Sequence, residues 1–187
     1  MPRMRILTAS EQEAFSKPPL FNHCERKKFF ALPRALLDMA QNIRSADHQV
    51  GFLVSCGYFR ATRRFFAPTD FESRDVAYVA NQLGYDDVSA RIYPDRTRQR
   101  HQQLILDFYG FSPFDEAAKK VLSVEIITMA RMHLKPRLIF DRCIDFLIQR
   151  RIQVPTVRSL TDMIRAGLQE RKIELVVLMD VHLTYEA

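Results

Sequence analysis

The stretch that governs the fold of this 187-residue chain is residues 95–110, which read DRTRQRHQQLILDFYG. Its first half is polar and basic, and its second half carries apolar residues at helical spacing. The glycine at position 110 suits the left-handed residue that commonly ends a helix. The pattern therefore predicts a helix from Asp95 to Tyr109. We expect its buried face to contain Thr97, His101, Leu104, Ile105 and Phe108.

Two further helices are predicted just before this one. A helix lined by Val76, Val79, Ala80 and Leu83 ends at a glycine, and Asp86 or Asp87 can cap a short helix that runs to about Ile92. Residues 70–111 therefore predict the trihelical arrangement of helix-turn-helix proteins, in which one helix enters the major groove of DNA with its N-terminus first.

The rest of the chain carries the same helical spacing, while the alternation typical of strands is scarce. Thr8 and Glu11 have the spacing of a capping box that opens a short helix. Pro33 suits the first turn of a later helix. We therefore predict an all-α fold. The further helices are expected at 22–31, 33–43, 46–60, 114–133, 136–151 and 156–185.

Residues 66–69 predict a boundary, because proline disfavours helical geometry at the residue before it. We expect a first helical DNA-binding unit with a basic N-terminal arm at 1–67 and a second helical unit at 68–187. Both are expected to be helix-turn-helix-like, with additional antiparallel helices following. The helix at 136–151 is apolar on most sides, so we expect it to be central and buried. The last helical pattern continues to the end of the chain, which favours a piece of a longer protein over a frayed terminus.

The chain is basic, with 28 Lys and Arg against 22 Asp and Glu, a net charge of +6 and a pI of about 9.4. Such a charge favours a polyanionic partner without establishing one. Cys24, Cys56 and Cys143 are odd in number and far apart, which argues against a disulfide framework or a zinc site and favours a reducing cytosol. The apolar stretches are too short for a signal peptide core or a membrane span, so we expect no membrane partner.

The first turns of the predicted helix at 95–109 form the candidate DNA-binding surface. Arginine suits bidentate contact with guanine, and glutamine suits adenine. The helix N-terminus adds free N–H groups and the positive end of the dipole, although Asp95 would repel phosphate. The competing explanation is a solvated arginine face. The predicted groove contacts are Arg96, Arg98, Gln99, Arg100 and Gln102.

A second basic set lies in the first third of the chain. Arg3 and Arg5 belong to the predicted arm, and such an arm can lie in the minor groove. Arg26 is expected to be exposed on the second helix together with the two lysines that follow it. A solvated surface is the competing explanation for each residue taken singly. The predicted phosphate contacts are Arg63, Arg64, Lys27 and Lys28.

Catalysis has little support in the sequence. Asp141 and Asp145 lie one turn apart beside Arg142, which favours surface ion pairs. The five histidines show no metal-ligand spacing. A Cys–His nucleophile pair assembled in space is the remaining enzymatic hypothesis. We expect no catalytic residue, no metal site and no cofactor in this chain, and therefore no enzyme activity of its own.

Three segments resemble the transposases of the Tn-three family of replicative transposons. Residues 1–11 resemble the family's opening, and residues 50–60, VGFLVSCGYFR, resemble its L-G-F-A-x-Q-L-C-x-L-R block. Residues 93–111 resemble its Y-x-x-R-x-x-T-R-x-x-H…I…G-[YF] signature, with a shortened spacing before the Thr-Arg pair. The stretch DHQV at 47–50 and the pair AT at 61–62 depart from the family pattern.

This resemblance implies the N-terminal, DNA-binding part of a transposase, which recognises the terminal inverted repeats of a transposon during DNA transposition. In that family the acidic catalytic triad and its Mg²⁺ ions belong to a later domain, so the resemblance implies no strand-transfer chemistry here. It implies double-stranded DNA and the remainder of the transposase as partners, with homodimerisation in the full-length protein. The bacterial cytoplasm, in association with the nucleoid, is the implied location.

Two other classes of function compete with the DNA-binding hypothesis. A helical protein-interaction scaffold without direct DNA contact predicts exposed apolar patches and partner binding that is insensitive to salt. A stand-alone enzyme predicts a pocket where His, Cys or acidic side chains converge. RNA binding is less favoured, because no aromatic stacking surface is evident.

Overall fold

The computed structural model describes residues 5–86, 88–90 and 94–185, and for residues 179–185 it describes the backbone alone. Within these ranges the chain forms α-helices and one 3₁₀ turn at Pro68–Asp70, without a β-strand. The predicted all-α fold is therefore confirmed. The helices are α1 (Ala9–Ser16), α2 (His23–Phe29), α3 (Arg34–Gln41), α4 (Ala46–Thr62), α5 (Ser73–Leu83), α6 (Asp95–Tyr109), α7 (Glu116–Arg131), α8 (Pro136–Gln149) and α9 (Val157–Tyr185).

Local sequence signals account for several helix ends. The Thr8 amide and hydroxyl donate to Glu11 Oε2 at 2.7 and 2.8 Å, and the Glu11 amide donates to Thr8 Oγ1 at 3.2 Å, which confirms the capping box. Gly84 ends α5 with φ +77°, and Gly110 ends α6 with φ +66°. Both glycines adopt the left-handed conformation that side chains disfavour.

The short helix predicted to follow α5 is wrong where the structure describes it. Residues 88–90 are not helical, while Asp87 and residues 91–92 lie outside the described ranges. A helix of about six residues gains too few hydrogen bonds to offset its nucleation cost. The predicted trihelical frame is therefore not what holds α6 in place.

Residues Glu13–Ser112 form one compact unit around α4. Every residue from Val50 to Phe59 is buried, so this helix is covered on all sides. Helices α2, α3, α5 and α6 each pack against it. A helix that is apolar all round is expected to be the centre of a unit, and α4 has that place here.

A buried carboxylate ties three helices of this unit together. Asp75 on α5 is fully buried and accepts a hydrogen bond from Arg26 Nε at 2.6 Å and from the Tyr58 hydroxyl at 2.8 Å. Arg26 also donates from Nη2 to the Phe21 carbonyl at 2.9 Å. Because the charge is paired and hydrogen-bonded, it tolerates burial. The expectation that Arg26 is exposed is therefore wrong.

Close packing beside this network requires a glycine in α4. A Cβ atom added to Gly57 would lie 2.2 Å from Cε1 of Phe30. The Phe30 ring is itself buried and packs edge-to-face against the Tyr58 ring, with centroids 6.0 Å apart. Gly57 thus allows the end of α2 to approach the central helix.

Residues Met1–Gln12 and Pro113–Ala187 form the other compact unit, which contains α7, α8 and the long helix α9, and these three helices pack against one another. Gly167 allows α9 to approach α7, since a Cβ there would lie 2.6 Å from Cγ2 of Ile126. Glu11 forms an ion pair with Arg137 on α8 and so attaches the N-terminal segment to this unit.

The prediction that the helix at 136–151 is central is wrong. Helix α8 buries one face, formed by Ile139, Phe140, Cys143 and Leu147. Leu138 is 42% exposed on the other side. An amphipathic helix needs only one apolar stripe for packing, and the remaining large apolar residues of α8 are half-buried, as Ile144 and Phe146 are, or exposed, as Leu138 and Ile148 are.

The two compact units differ from the predicted division at residue 67. That position lies within the unit Glu13–Ser112, because α4 and α5 share the hydrogen bond between Tyr58 and Asp75. The assignment of DNA binding to residues 1–67 and 68–187 stays a prediction.

Candidate nucleic-acid interface

The candidate interface is built on α6, which is held by α4. His101 packs edge-on against Phe52 of α4, with ring centroids 5.3 Å apart. Toward the other end, Tyr109 and Phe111 contact Phe59, with centroids 5.7 and 5.3 Å apart. The helix is thus fixed along most of its length, and its first turns extend beyond the apolar contacts.

His101 is a core histidine, as predicted. It is 6% exposed, and its pKa is lowered to about 4, first by burial and then by the nearby charges of His48 and Arg100. The imidazole is therefore neutral at physiological pH. Its role is to position the helix rather than to carry charge to a ligand.

The predicted buried face of α6 is partly wrong. His101 and Ile105 are buried as expected, but Leu104 is 36% exposed and Leu106 is buried in its place. The contacts of α6 with α4 centre on the side that contains Ile105, Leu106 and the Tyr109 ring. The exposed basic residues of the first turns therefore lie on the opposite side of the helix.

Three of the five predicted groove residues share the exposed face of α6. Arg96, Gln99 and Arg100 are exposed, and their i, i+3 and i+4 spacing puts them side by side in the first two turns. None of the three makes a side-chain hydrogen bond or ion pair within the described part of the chain. Their polar groups are available to a partner.

Arg98 and Gln102 lie on the side of the helix that carries the buried His101 and Ile105. Arg98 is 29% exposed at its side chain, and its Nη2 is 2.9 Å from Oδ1 of Asp95. Gln102 is half-buried. These two positions are one turn apart, so they face the same way and away from the centre of the Arg96 face.

The same exposed face loses its positive charge farther along the helix. Gln103 donates from Nε2 to Asp107 Oδ1 at 2.7 Å, and both residues are exposed. The free guanidinium groups are therefore confined to the N-terminal end, where the unpaired N–H groups of the helix also point outward. An anion or a base edge approaching this end meets the guanidinium donors of Arg96 and Arg100 and the amide group of Gln99, beside the carboxylate of Asp95.

Arg63 is engaged with the end of its own helix. It has φ +58° at the C-terminus of α4, and its Nη1 donates to the carbonyls of Phe59 at 3.1 Å and Arg60 at 2.6 Å. The guanidinium also lies over the Phe111 ring, 5.5 Å from the centroid. The Phe59 carbonyl also accepts from the Arg63 amide at 2.8 Å, so Arg63 closes the end of α4, which is a structural role.

Arg64 is still more enclosed. Its guanidinium carbon lies 3.9 Å from the Phe15 ring centroid and 5.0 Å from that of Phe66, and Nη1 donates to the Phe15 carbonyl. Burial lowers its pKa to about 10. A cation placed between two rings contributes packing as well as charge, so the Arg64 guanidinium is engaged within its own unit.

The remaining predicted contacts lie elsewhere. Lys27 and Lys28 are exposed on α2, with Lys28 Nζ 5.3 Å from the Phe29 ring centroid. Arg5 is exposed, and Arg3 lies outside the described residues. Arg5 and the two lysines keep access to solvent, which a phosphate contact requires.

Sequence reasoning missed that several arginines stabilise the fold. Besides the Arg26–Asp75 pair, Arg60 donates to the Ala31 carbonyl at 2.5 Å. One signal was present for the first pair: Asp75 lies one turn before Val79, on the apolar face of its helix. An acidic residue at such a position predicts a buried basic partner.

The described residues contain no group of three or more His, Cys, Asp or Glu side chains that would hold a metal ion. Cys56 and Cys143 are buried, and burial raises the pKa of the Cys143 thiol to about 12. A thiol of this kind is a poor nucleophile, because the thiolate is the reactive form. In the described part of the chain, every helix is too short or too polar to cross a membrane.

Fold and surface together define an all-α protein with an exposed basic helix end. The chain belongs to the family described as a domain of unknown function (DUF4158), whose sequence profile matches residues 6–167. That description gives the family no activity and no ligand. No curated protein matches this chain.

Proposed function

We propose that this chain binds double-stranded DNA in a sequence-specific manner through the first two turns of α6. Arg96 and Arg100 contact guanine edges or phosphates, and Gln99 contacts an adenine edge. The observation that carries the proposal is the set of three exposed side chains on one helix face, Arg96, Gln99 and Arg100, without a partner in the described part of the chain.

The anchoring of α6 supports this proposal. A recognition helix needs one end held rigidly while the other end reaches into a groove. Buried His101 and Ile105 supply the anchor on the side of α4. In contrast to Arg63 and Arg64, whose guanidinium groups contact carbonyls and rings of their own unit, Arg96 and Arg100 are open to a partner.

The biological setting that we propose comes from the resemblance to Tn-three family transposases. In this setting the chain is the N-terminal part of a transposase and recognises the terminal inverted repeats of its transposon, in the nucleoid of a bacterial cell. Strand transfer and its Mg²⁺ ions belong to another domain, and the remainder of the transposase is a partner. Lys27, Lys28 and Arg5 add phosphate contacts outside the groove.

The proposal is tested by selecting duplexes from a random-sequence library and measuring Kd for a selected duplex and for a scrambled one of the same composition. We expect the selected duplex to bind at least about 10³-fold more tightly. The double variant Arg96→Gln/Arg100→Gln should weaken binding to the scrambled duplex roughly 60-fold at about 100 mM salt, because two phosphate contacts are lost.

The matched control is Arg34→Gln/Arg158→Gln, which removes two positive charges at side chains that are 80% and 91% exposed on other helices. This control should bind like the parent chain. Equal affinity for the selected and scrambled duplexes would remove sequence specificity. An unchanged Kd for the α6 variant would remove α6 from the interface.

A protein-interaction scaffold is the second candidate, and exposed apolar residues on α9 favour it. Ile173, Val177 and Leu178 are 56%, 55% and 51% exposed. Large exposed apolar patches often mark protein-binding surfaces. If DNA is bound through α6, Ile173→Asp/Val177→Asp should leave Kd for the selected duplex unchanged. If the chain is a scaffold, no duplex should be selected, and this variant should abolish binding to its protein partner.

A further inference from the structure

The N-terminal turn of α6 contains an acidic residue among its basic ones. Asp95 is the first residue of the helix and the one acid in its first turn. It is 80% exposed and lies 2.9 Å from Nη2 of Arg98, whose side chain is 29% exposed. Asp95 thus occupies the end of the helix that the proposed function brings closest to DNA.

The Asp95 carboxylate affects the binding of DNA phosphates and of base edges differently. A carboxylate repels a nearby phosphate, whereas a neutral base edge suffers no such repulsion. The ion pair also occupies one guanidinium that would otherwise bind phosphate. Because exposed ion pairs are weak in water, the Asp95–Arg98 pair can open when a better partner is offered. At a guanine, Arg98 donates two hydrogen bonds to O6 and N7, and no phosphate is brought next to the Asp95 carboxylate.

We propose that Asp95 is a specificity-determining residue that withholds Arg98 from the phosphates of arbitrary DNA and releases it to a base edge at the recognised site. This inference rests on the proposed function. It adds a regulatory role for the pair that the function itself does not require. Without Asp95 the chain should bind all DNA more tightly and discriminate less.

The test is Asp95→Asn, which keeps the size of the side chain and its place at the helix start. For the scrambled duplex at about 100 mM salt, we expect binding roughly eightfold tighter and a salt slope steeper by about 0.9, the value for one added phosphate contact. For the selected duplex we expect at most about a twofold gain, because the substitution saves only the small cost of opening an exposed ion pair there. The ratio of the two affinities should fall accordingly.

Two variants separate this mechanism from a general gain of charge. Asp38→Asn also raises the net charge by one, and it frees an arginine from an exposed pair, since Arg34 Nε lies 2.9 Å from Asp38 Oδ1 on α3. It should leave both affinities unchanged. Asp95→Asn/Arg98→Gln should return the scrambled-duplex affinity toward that of the parent chain. Circular dichroism of each variant verifies that the helical content is kept.

Each outcome decides the matter. Equal tightening on both duplexes, an effect of Asp38→Asn as large as that of Asp95→Asn, or no effect of Asp95→Asn on a parent chain that binds DNA would overturn the inference alone. A parent chain that binds neither duplex would overturn the proposed function and this inference with it.

Discussion

Two arginine–aspartate pairs of this protein have similar geometry and very different surroundings, and we predict that their contributions to stability differ accordingly. Arg26 Nε lies 2.6 Å from Asp75, and the two side chains are 14% and 0% exposed. Arg34 Nε lies 2.9 Å from Asp38, and those side chains are 80% and 52% exposed. Arg26→Met and Arg34→Met remove the charge while keeping most of the apolar stem.

Arg26→Met leaves the Asp75 carboxylate buried with the Tyr58 hydroxyl as its remaining side-chain donor. Loss of one partner from a buried pair costs about 3–5 kcal/mol, whereas an exposed i,i+4 pair contributes about 0.3–0.5 kcal/mol. At about 2–4 °C per kcal/mol for a chain of this size, Tm should fall by roughly 10 °C in the first variant and by about 1 °C in the second.

Thermal unfolding followed by circular dichroism at neutral pH measures both shifts. Asp75→Asn/Arg26→Met should lose less than the sum of the two single variants, because the uncompensated charge is gone. Equal Tm losses for Arg26→Met and Arg34→Met would show that burial of the pair does not determine its contribution, and the reasoning would be refuted.

Three further predictions concern stability. Gly57→Ala should destabilise the chain by about 1–2 kcal/mol in urea unfolding, since the clash with buried Phe30 outweighs the gain in helix propensity; a neutral effect would contradict the close approach. His101 has a folded-state pKa of about 4 against 6.5 for the unfolded chain, so the unfolded state binds more protons in between. The free energy of unfolding should fall as the pH drops from about 6.5 to about 4, and His101→Phe should flatten this pH dependence. The same pH dependence in the variant and in the parent chain would contradict this reasoning. Asp115→Ala should cost about 1 kcal/mol of unfolding free energy, because the Asp115 side chain accepts from the Ala118 amide at 2.9 Å at the start of α7; an unchanged urea midpoint would argue against the cap.

The helices were predictable because their signals are local. The capping box at Thr8 and the glycines at 84 and 110 need no information beyond a few neighbouring residues. The centrality of α4 was not predicted, because the pattern of Val50, Leu53 and Val54 suggests one buried face, while all its sides are covered. Which helix is surrounded depends on partners far away in sequence.

The candidate site was predictable in position but not in detail. The exposed arginines of α6 follow from the polar first half of that helix. The structural roles of Arg26, Arg63 and Arg64 do not follow, since they depend on Asp75, on helix-end carbonyls and on rings that meet only in the folded chain. A basic cluster in sequence does not distinguish charges that bind a partner from charges that hold the fold.

The central claim is that the free guanidinium groups at the start of α6 contact DNA, and the salt dependence of Kd tests it most directly. Titrations of the scrambled duplex, where binding rests on phosphate contacts, at several salt concentrations should give a slope for Arg96→Gln/Arg100→Gln that is smaller than that of the parent chain by about 1.8, the value for two phosphate contacts. Arg34→Gln/Arg158→Gln should keep the parent slope. Equal slopes for the parent chain and the α6 variant would contradict the account.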